Sequence, residues 1–262
     1  MTPAPLDAPD VNNDNNVNVW DITFWQALSD EQCDLAGGIA LRQPRAPLLL
    51  ANAVWQPAAD AVADIDVEIG TYISAEIRDF YTPHHIHAGV VTTWLEPPLI
   101  ATLRGAGFEP NMRFHLSPAP TEKATPTDIT DITDIQVEQV SWTEAGRMGG
   151  VLAMAYDYLT FDTALGMLVS RTMQQLSHVQ AYLAFAAEDA PSGAMVVIPR
   201  AHSLRALFLG GKPDAKNALI ARLTAEATRQ DKNAEVLDYT PLPHDVQLEP
   251  DSKDLIYWRH PD

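Results

Sequence analysis

Between His178 and Lys232 the spacing of apolar positions changes from strand-like to helical. Val179–Ala187 is apolar almost throughout and reads as the first strand of the stretch. Asp189-Ala190-Pro191-Ser192-Gly193 has turn composition. Ala194–Ile198 reads as the return strand and Leu204–Leu209 as a third. Gly210-Gly211-Lys212-Pro213-Asp214 then leads into a helical pattern from Ala215 to about Gln230. In it Leu219, Ile220, Leu223 and Ala227 share one face, and Lys216, Arg222, Glu226 and Arg229 lie largely away from it. Glu235–Tyr239 is the next strand. Sequential strands joined by short turns must be antiparallel, whereas the strand after the helix can return parallel to the third.

The flanking segments extend this order. Ile135–Val140 reads as a strand, followed by a helical run to about Tyr156 that Ser141 or Thr143 can cap. A second helix follows Phe161-Asp162-Thr163 and carries Leu165, Leu168, Met173 and Leu176. After a proline-broken stretch over 241–250, Asp254–His260 reads as a last strand. In the first half, a short helix runs from Trp20 through Leu28, with Trp20 and Trp25 as core anchors. Leu48–Trp55 reads as a buried strand, and Ile65–Arg78 as a helix with Ile69, Ile73 and Ile77 four apart. Val90–Trp94 is a β-branched strand. Pro97 and Pro98 open a helix that Gly105 and Gly107 stop. In Asn111–Ser117, Met112, Phe114 and Leu116 alternate as in a strand.

The expected class is α+β. A Pro-, Asn- and Asp-rich tail spans 1–17, a first part 18–120, and a second part 135–262. Between the parts, 121–134 reads as a linker, where Thr-Asp-Ile occurs three times over from Thr127 to Ile135.

Composition narrows the function classes. The chain has 262 residues, 46% of them hydrophobic, enough for a sizeable core. Its 17 Lys and Arg face 35 Asp and Glu, a formal charge of −18. That field repels nucleic acid and anionic membranes and mildly favours cationic substrates such as amines. Cys33 is the single cysteine, so no disulfide forms within the chain and a cytoplasmic setting is expected. No secretory signal opens the sequence, and no stretch reaches the roughly 18–20 apolar residues that span a bilayer. The oligomeric state is left open, a dimer included.

Several chemistries lack their motif. There is no G-x-S-x-G elbow, no P-loop and no G-x-G-x-x-G. His84-His85-Ile86-His87 is the one metal-like cluster. On a strand, His85 and His87 would share a face, and Asp79 lies near in sequence. Zinc needs three or four ligands and the sequence identifies no full set, so no metal centre is expected. Metal-dependent activity at His85 and His87 stands as a third reading.

The element order resembles the GNAT superfamily of N-acetyltransferases. The matching features are the helix pair between the first two strands of the second part, the turn at Pro191-Ser192-Gly193, and the loop and helix after the fourth strand. The first part is similar to a partial second copy: Trp94-Leu95-Glu96-Pro97 to Gly105-Ala106-Gly107-Phe108 resembles the family's late helix ending in Gly-Phe. The resemblance implies acetyl-CoA-dependent transfer to a small amine. It implies that the backbone of Leu207, Phe208 and Leu209 holds the cofactor's amide arm. Gly210, Gly211, Lys212, Lys216 and Asn217 would then hold its pyrophosphate. The loop departs from the family's glycine pattern. Pro213 removes one N–H donor, and Asp214 brings a carboxylate to the helix start, where it would serve as an N-cap. Tyr257 is the candidate acid for the leaving thiolate, or simply a strand residue. Glu188 is the candidate base, or a solvent-facing turn residue. The alternative function is a binding or regulatory module that keeps this fold without acyl-CoA.

Overall fold

The computed structural model describes residues 21–35, 37–55, 75–92, 97–120, 135–186, 190–243, 246, 248 and 254–260. The tail over 1–17, the linker over 121–134 and most of the helix expected over 65–78 lie outside them. The first part contains α1 (Ile22–Leu28), β1 (Glu31–Leu35), β2 (Gly38–Arg42) and β3 (Val54–Trp55). It continues with α2 (75–81), β4 (Gly89–Thr92), α3 (Pro97–Gly105) and β5 (Glu109–Pro118). The second contains β6 (Gln136–Val140), α4 (Met148–Ala155), α5 (Asp162–Gln175), β7 (Gln180–Phe185) and β8 (Pro191–Pro199). Then come β9 (Ser203–Gly211), α6 (Pro213–Arg229), β10 (Asn233–Pro241) and β11 (Leu255–Arg259).

All eleven strands form one sheet, ordered β1-β2-β3-β4-β11-β5-β10-β9-β8-β7-β6. In the second part β6, β7, β8 and β9 run antiparallel in turn, with α4 and α5 between the first two. Helix α6 then returns the chain so that β10 pairs parallel to β9. The first part repeats this plan from its second strand. β1, β2 and β3 are antiparallel, and β4 pairs parallel to β3 through Val54↔Val90 and Trp55↔Val91. The last strand crosses over: β11 lies between β4 and β5, antiparallel to both. In space β11 therefore completes the first part, although in chain order it follows the second. β5 in turn pairs with β10 from Glu235↔Pro118 to Pro241↔Met112.

Helices cover both faces. α1, α4 and α5 pack on one face with Trp25, Met148, Leu152, Leu165 and Phe208 in a shared core. On the other, α6 buries Ala215, Leu219, Leu223 and Ala227 over β8, β9 and β10. α3 buries Leu99 and Leu103 in a third cluster with Val90, Ile256 and Trp258. Arg171 of α5 ties the parts together. It donates to Asp30 Oδ1 (2.5 Å) and to the carbonyls of Ala27, Leu28 and Ser29 at the end of α1. Those carbonyls have no partner within the helix, so the guanidinium acts as their cap. No helix among the described residues is long and apolar enough to cross a membrane.

Several elements differ from the sequence pattern. β1 was not expected, because an edge strand exposed at four of five positions has no alternation to detect. Leu48–Trp55 is not a strand throughout. A 3-10 turn occupies Leu49–Ala51 and only Val54–Trp55 pair. Buried Asn52 causes the turn: its Oδ1 accepts from Gln43 N (2.6 Å) and its Nδ2 donates to Ala46 O and Leu48 O. Pro191, Ser192 and Gly193 belong to β8 rather than to the turn before it. Gly193 lies beneath α6, where an added Cβ would stand 2.8 Å from Ala215 Cβ. His85 ends a 3-10 turn in left-handed conformation (φ 56°), so His85 and His87 do not sit on a strand.

Candidate functional site

Strands β9 and β10 pair only over Ser203–Ala206 and Asn233–Val236. Beyond that point each keeps its other neighbour: β9 follows β8 to Gly211, and β10 follows β5 to Pro241. The sheet therefore splits between two parallel strands. The split begins at a bulge, since Val196 faces Phe208 and Val197 faces Ala206, leaving Leu207 as an extra residue. The bulge breaks the strand's alternation. Leu207 and Phe208 both turn into the core beneath α4, while Ala206 and Leu209 pack toward α6. The closed end is held by charge: Arg205 Nε meets Glu235 Oε2 at 2.6 Å, directly across the pair. Asp21, 1% exposed at the start of α1, accepts from Arg205 (3.5 Å) and also pairs with Arg200.

A cavity of about 210 Å³ occupies the split on the α4 side. Its walls are Leu207 and Phe208 of β9, Leu237 and Tyr239 of β10, Met112 and Phe114 of β5, Trp25 of α1, and Leu48–Leu50. Tyr156 and Tyr158, just beyond α4, close one side. The two tyrosine rings stack at 6.5 Å, and Tyr156 stands edge-on to Phe208 at 5.9 Å. Leu209 N–H, which has lost its neighbouring strand, donates to Tyr156 Oη at 3.1 Å. Burial pushes the Tyr156 hydroxyl far above its ordinary range, against the lowering effect of that bond. It is therefore protonated at neutral pH. Among the described residues that line the cavity, three phenols are the only titratable groups.

The structure brings part of the expected site together. Leu207, Phe208 and Leu209 run along the split. Gly210 and Gly211 end β9 instead of forming a loop. Packing requires both to be glycine, because an added Cβ would stand 2.5 Å from Ala155 Cβ at Gly210. At Gly211 (φ 132°) it would stand 2.4 Å from Ser192 O. A single residue, Lys212, joins β9 to α6. It is the N-cap, Pro213 is the first helical residue and Asp214 lies in the first turn. Asp214 is thus not the N-cap, because Pro213 with its preset φ takes the first helical position. Lys212 N–H donates to Ser192 O, and Lys216 N–H makes the first helical bond, to Lys212 O. The N–H groups of Asp214 and Ala215 precede that bond and have no helical acceptor. Lys212 and Lys216, four apart, lie on one side of the helix start, with Asn217 exposed beside Lys216.

The other candidates lie elsewhere. Tyr257 is a strand residue of β11, 1% exposed, with its ring against Gly89. It does not line the cavity, and burial raises its hydroxyl well above the ordinary range. Glu188 lies outside the described residues. His87 Nε2 is 2.8 Å from Arg259 Nη2, and among the described residues no three His, Cys, Asp or Glu side chains converge as a metal site. Sequence reasoning missed Trp25, Phe114, Tyr156, Tyr158 and Tyr239 as a site. The Tyr-x-Tyr pair directly after a helix was the available signal.

No family model matches the sequence, and no curated protein matches it. Solved structures do. A GCN5-related N-acetyltransferase from Kribbella flavida superposes with a TM-score of 0.52 at 13% identity, covering 94% of this chain and 96% of that one. A functionally unknown conserved protein from Staphylococcus epidermidis superposes with a TM-score of 0.47 at 10% identity, covering 88% and 93%. A tandem GNAT protein from the clavulanic acid biosynthesis pathway covers 73% and 69% at 11% identity, with a TM-score of 0.41. The Kribbella flavida match spans nearly the whole of both chains. The chain has the fold of the GCN5-related N-acetyltransferase (GNAT) superfamily, built as two GNAT-like parts that share one sheet.

Proposed function

We propose that the split between β9 and β10 binds acetyl-CoA and that the protein transfers the acyl group to the nitrogen of a small amine. One observation carries this reading. The backbone of Leu207–Leu209 leaves its neighbouring strand beside a cavity, and β9 ends within two residues of a helix N-terminus. The residues fit the two ends of such a molecule unequally. Leu209 N–H can bond an amide carbonyl along the split. The helix start offers two free N–H groups and two lysines for phosphate, against the Asp214 carboxylate. Acetyl-CoA would supply an acyl group activated as a thioester. The apolar walls exclude water and so favour an amine over hydrolysis. Tyr156 lies inside the split and is by position a better candidate than Tyr257 to give a proton to departing sulfur, although burial makes its hydroxyl a weaker acid than an ordinary phenol. Glu188 stays the candidate to take the proton from nitrogen, and a cytoplasmic setting suits the reading.

A second reading is a binding module without acyl-CoA. It is favoured by Tyr156 already satisfying Leu209 N–H and by the one-residue link before Pro213. Thermal unfolding with acetyl-CoA separates the two. A ligand held at about a hundred times its Kd stabilises the native state by about 2.7 kcal/mol. Unchanged stability at millimolar acetyl-CoA would leave the second reading standing.

A further inference from the structure

The wall of the cavity is a series of rings in contact. Trp25 lies 5.8 Å from Phe208, Phe208 5.9 Å from Tyr156, Tyr156 6.1 Å from Tyr239, and Tyr239 6.3 Å from Phe114. Tyr158, Met112 and leucines fill the rest, and no described lining residue carries a formal charge at neutral pH. An apolar cavity of about 150 Å³ accepts benzene. At about 210 Å³ this one has room for a single ring and a short chain. Ring faces attract an ammonium group, and a chain of charge −18 concentrates cations near its surface. A polyamine would have to strand several charges against carbon walls, which is costly. A single amine on an aromatic body would not.

We propose that the acceptor is an arylalkylamine, with its ring against Phe208 and Tyr239 and its nitrogen toward the backbone of Leu207–Leu209. The choice of acceptor rests on the acyl-transfer reading above. The first part of the chain then acquires a function, because Trp25, Leu50 and Phe114 form the far wall.

The test is calorimetry of phenethylamine and of spermidine on the full chain, without acetyl-CoA. Phenethylamine binds at least about tenfold more tightly than spermidine, the advantage of burying its ring. Tyr239→Ala alters a side chain at the mouth that is 46% exposed, so the fold tolerates it. It weakens phenethylamine about fivefold, the worth of one aromatic contact, and leaves spermidine unchanged. Equal affinity for both amines, or no effect of Tyr239→Ala, overturns the inference. So does octanoyl-CoA that displaces phenethylamine and binds about tenfold more tightly than acetyl-CoA, since the cavity then holds the acyl chain. Acetyl-CoA is titrated separately. If it fails to bind while phenethylamine binds through Tyr239, the acyl-transfer reading falls and the ligand class stands.

Discussion

Tyr156→Phe isolates the hydrogen bond on which the site turns. The change keeps the ring, its stack on Tyr158 and its edge contact with Phe208, and removes only Oη. Leu209 N–H then has no acceptor in the split. A half-buried amide deprived of its partner costs about 1–2 kcal/mol, less than the fully buried penalty. For a chain of this length that corresponds to a fall in Tm of about 2–8 °C. On the acyl-transfer reading proposed above, acyl-CoA binding would draw on the same N–H. In the wild type an incoming carbonyl must displace Tyr156 Oη; in the variant the donor is already free. Affinity for acetyl-CoA should therefore rise by the amount that folding stability falls, about 1–2 kcal/mol or roughly five- to thirtyfold. The stability gap between the two proteins should close at saturating acetyl-CoA, because the ligand then supplies the acceptor in both. Urea unfolding with and without acetyl-CoA measures the gap, and calorimetry measures Kd. Weaker binding in the variant, or a gap that persists at saturation, would refute the reasoning. If Tyr156 also protonates sulfur, kcat drops while Kd tightens.

Lys212→Ala with Lys216→Ala should weaken acetyl-CoA about tenfold and flatten the salt dependence of its Kd; unchanged affinity would mean that the phosphates sit elsewhere. Arg171→Ala removes the Asp30 pair and three carbonyl bonds and should cost about 2–4 kcal/mol in urea unfolding at neutral pH. Burial works to raise the Asp30 carboxyl, but hydrogen bonds from Arg171 and Gln43 and the charges of Arg171 and Arg45 together hold it below its ordinary 3.8. Its contribution is therefore complete above that value and is lost as pH falls through the lower folded value, so Arg171→Ala should blunt the loss of stability below about pH 4. An equally steep acid limb in the variant would assign that loss to other carboxylates. Gly193→Ala should destabilise by about 1–3 kcal/mol, because the new methyl would stand 2.8 Å from Ala215 Cβ and 3.0 Å from Leu219 Cδ1 beneath α6. A variant as stable as the wild type would show that α6 can lift off β8 at little cost.

The second part was largely legible because its elements are long and strongly patterned. The apolar runs of β7, β8 and β9 and the single apolar face of α6 follow from side-chain periodicity alone. Ends of elements were not legible. Gly193, Gly210 and Gly211 look like turn residues in sequence, yet they are strand glycines on which other elements close in. Nothing local distinguishes a glycine chosen for its φ from one chosen for lack of a Cβ. Of the residues around the candidate cavity, sequence pattern had singled out only those along β9 as site residues. Its remaining walls come from residues between 25 and 239 in sequence, and convergence of that kind leaves no periodic trace. The bulge at Leu207 was equally hidden, because Ala206–Leu209 is apolar at every position and a slip in register leaves no mark in such a run.

The exchange of strands explains why the cavity cannot belong to one part alone. Were β11 to pair beside β10, it would take the edge that β5 occupies, and Met112 and Phe114 would leave the cavity wall. With β5 in that place, β10 is held along its whole length on one side and is free to part from β9 on the other. The ion pair of Arg205 with Glu235 sets where the parting begins, and the bulge at Leu207 sets which side chains face it. Opening the sheet removes ladder bonds, and an unpaired strand edge is stable only when its polar groups find other partners. Tyr156 provides one such partner at Leu209. A strand edge opened this far and satisfied by a side chain rather than by a strand is what an extended ligand would need to find.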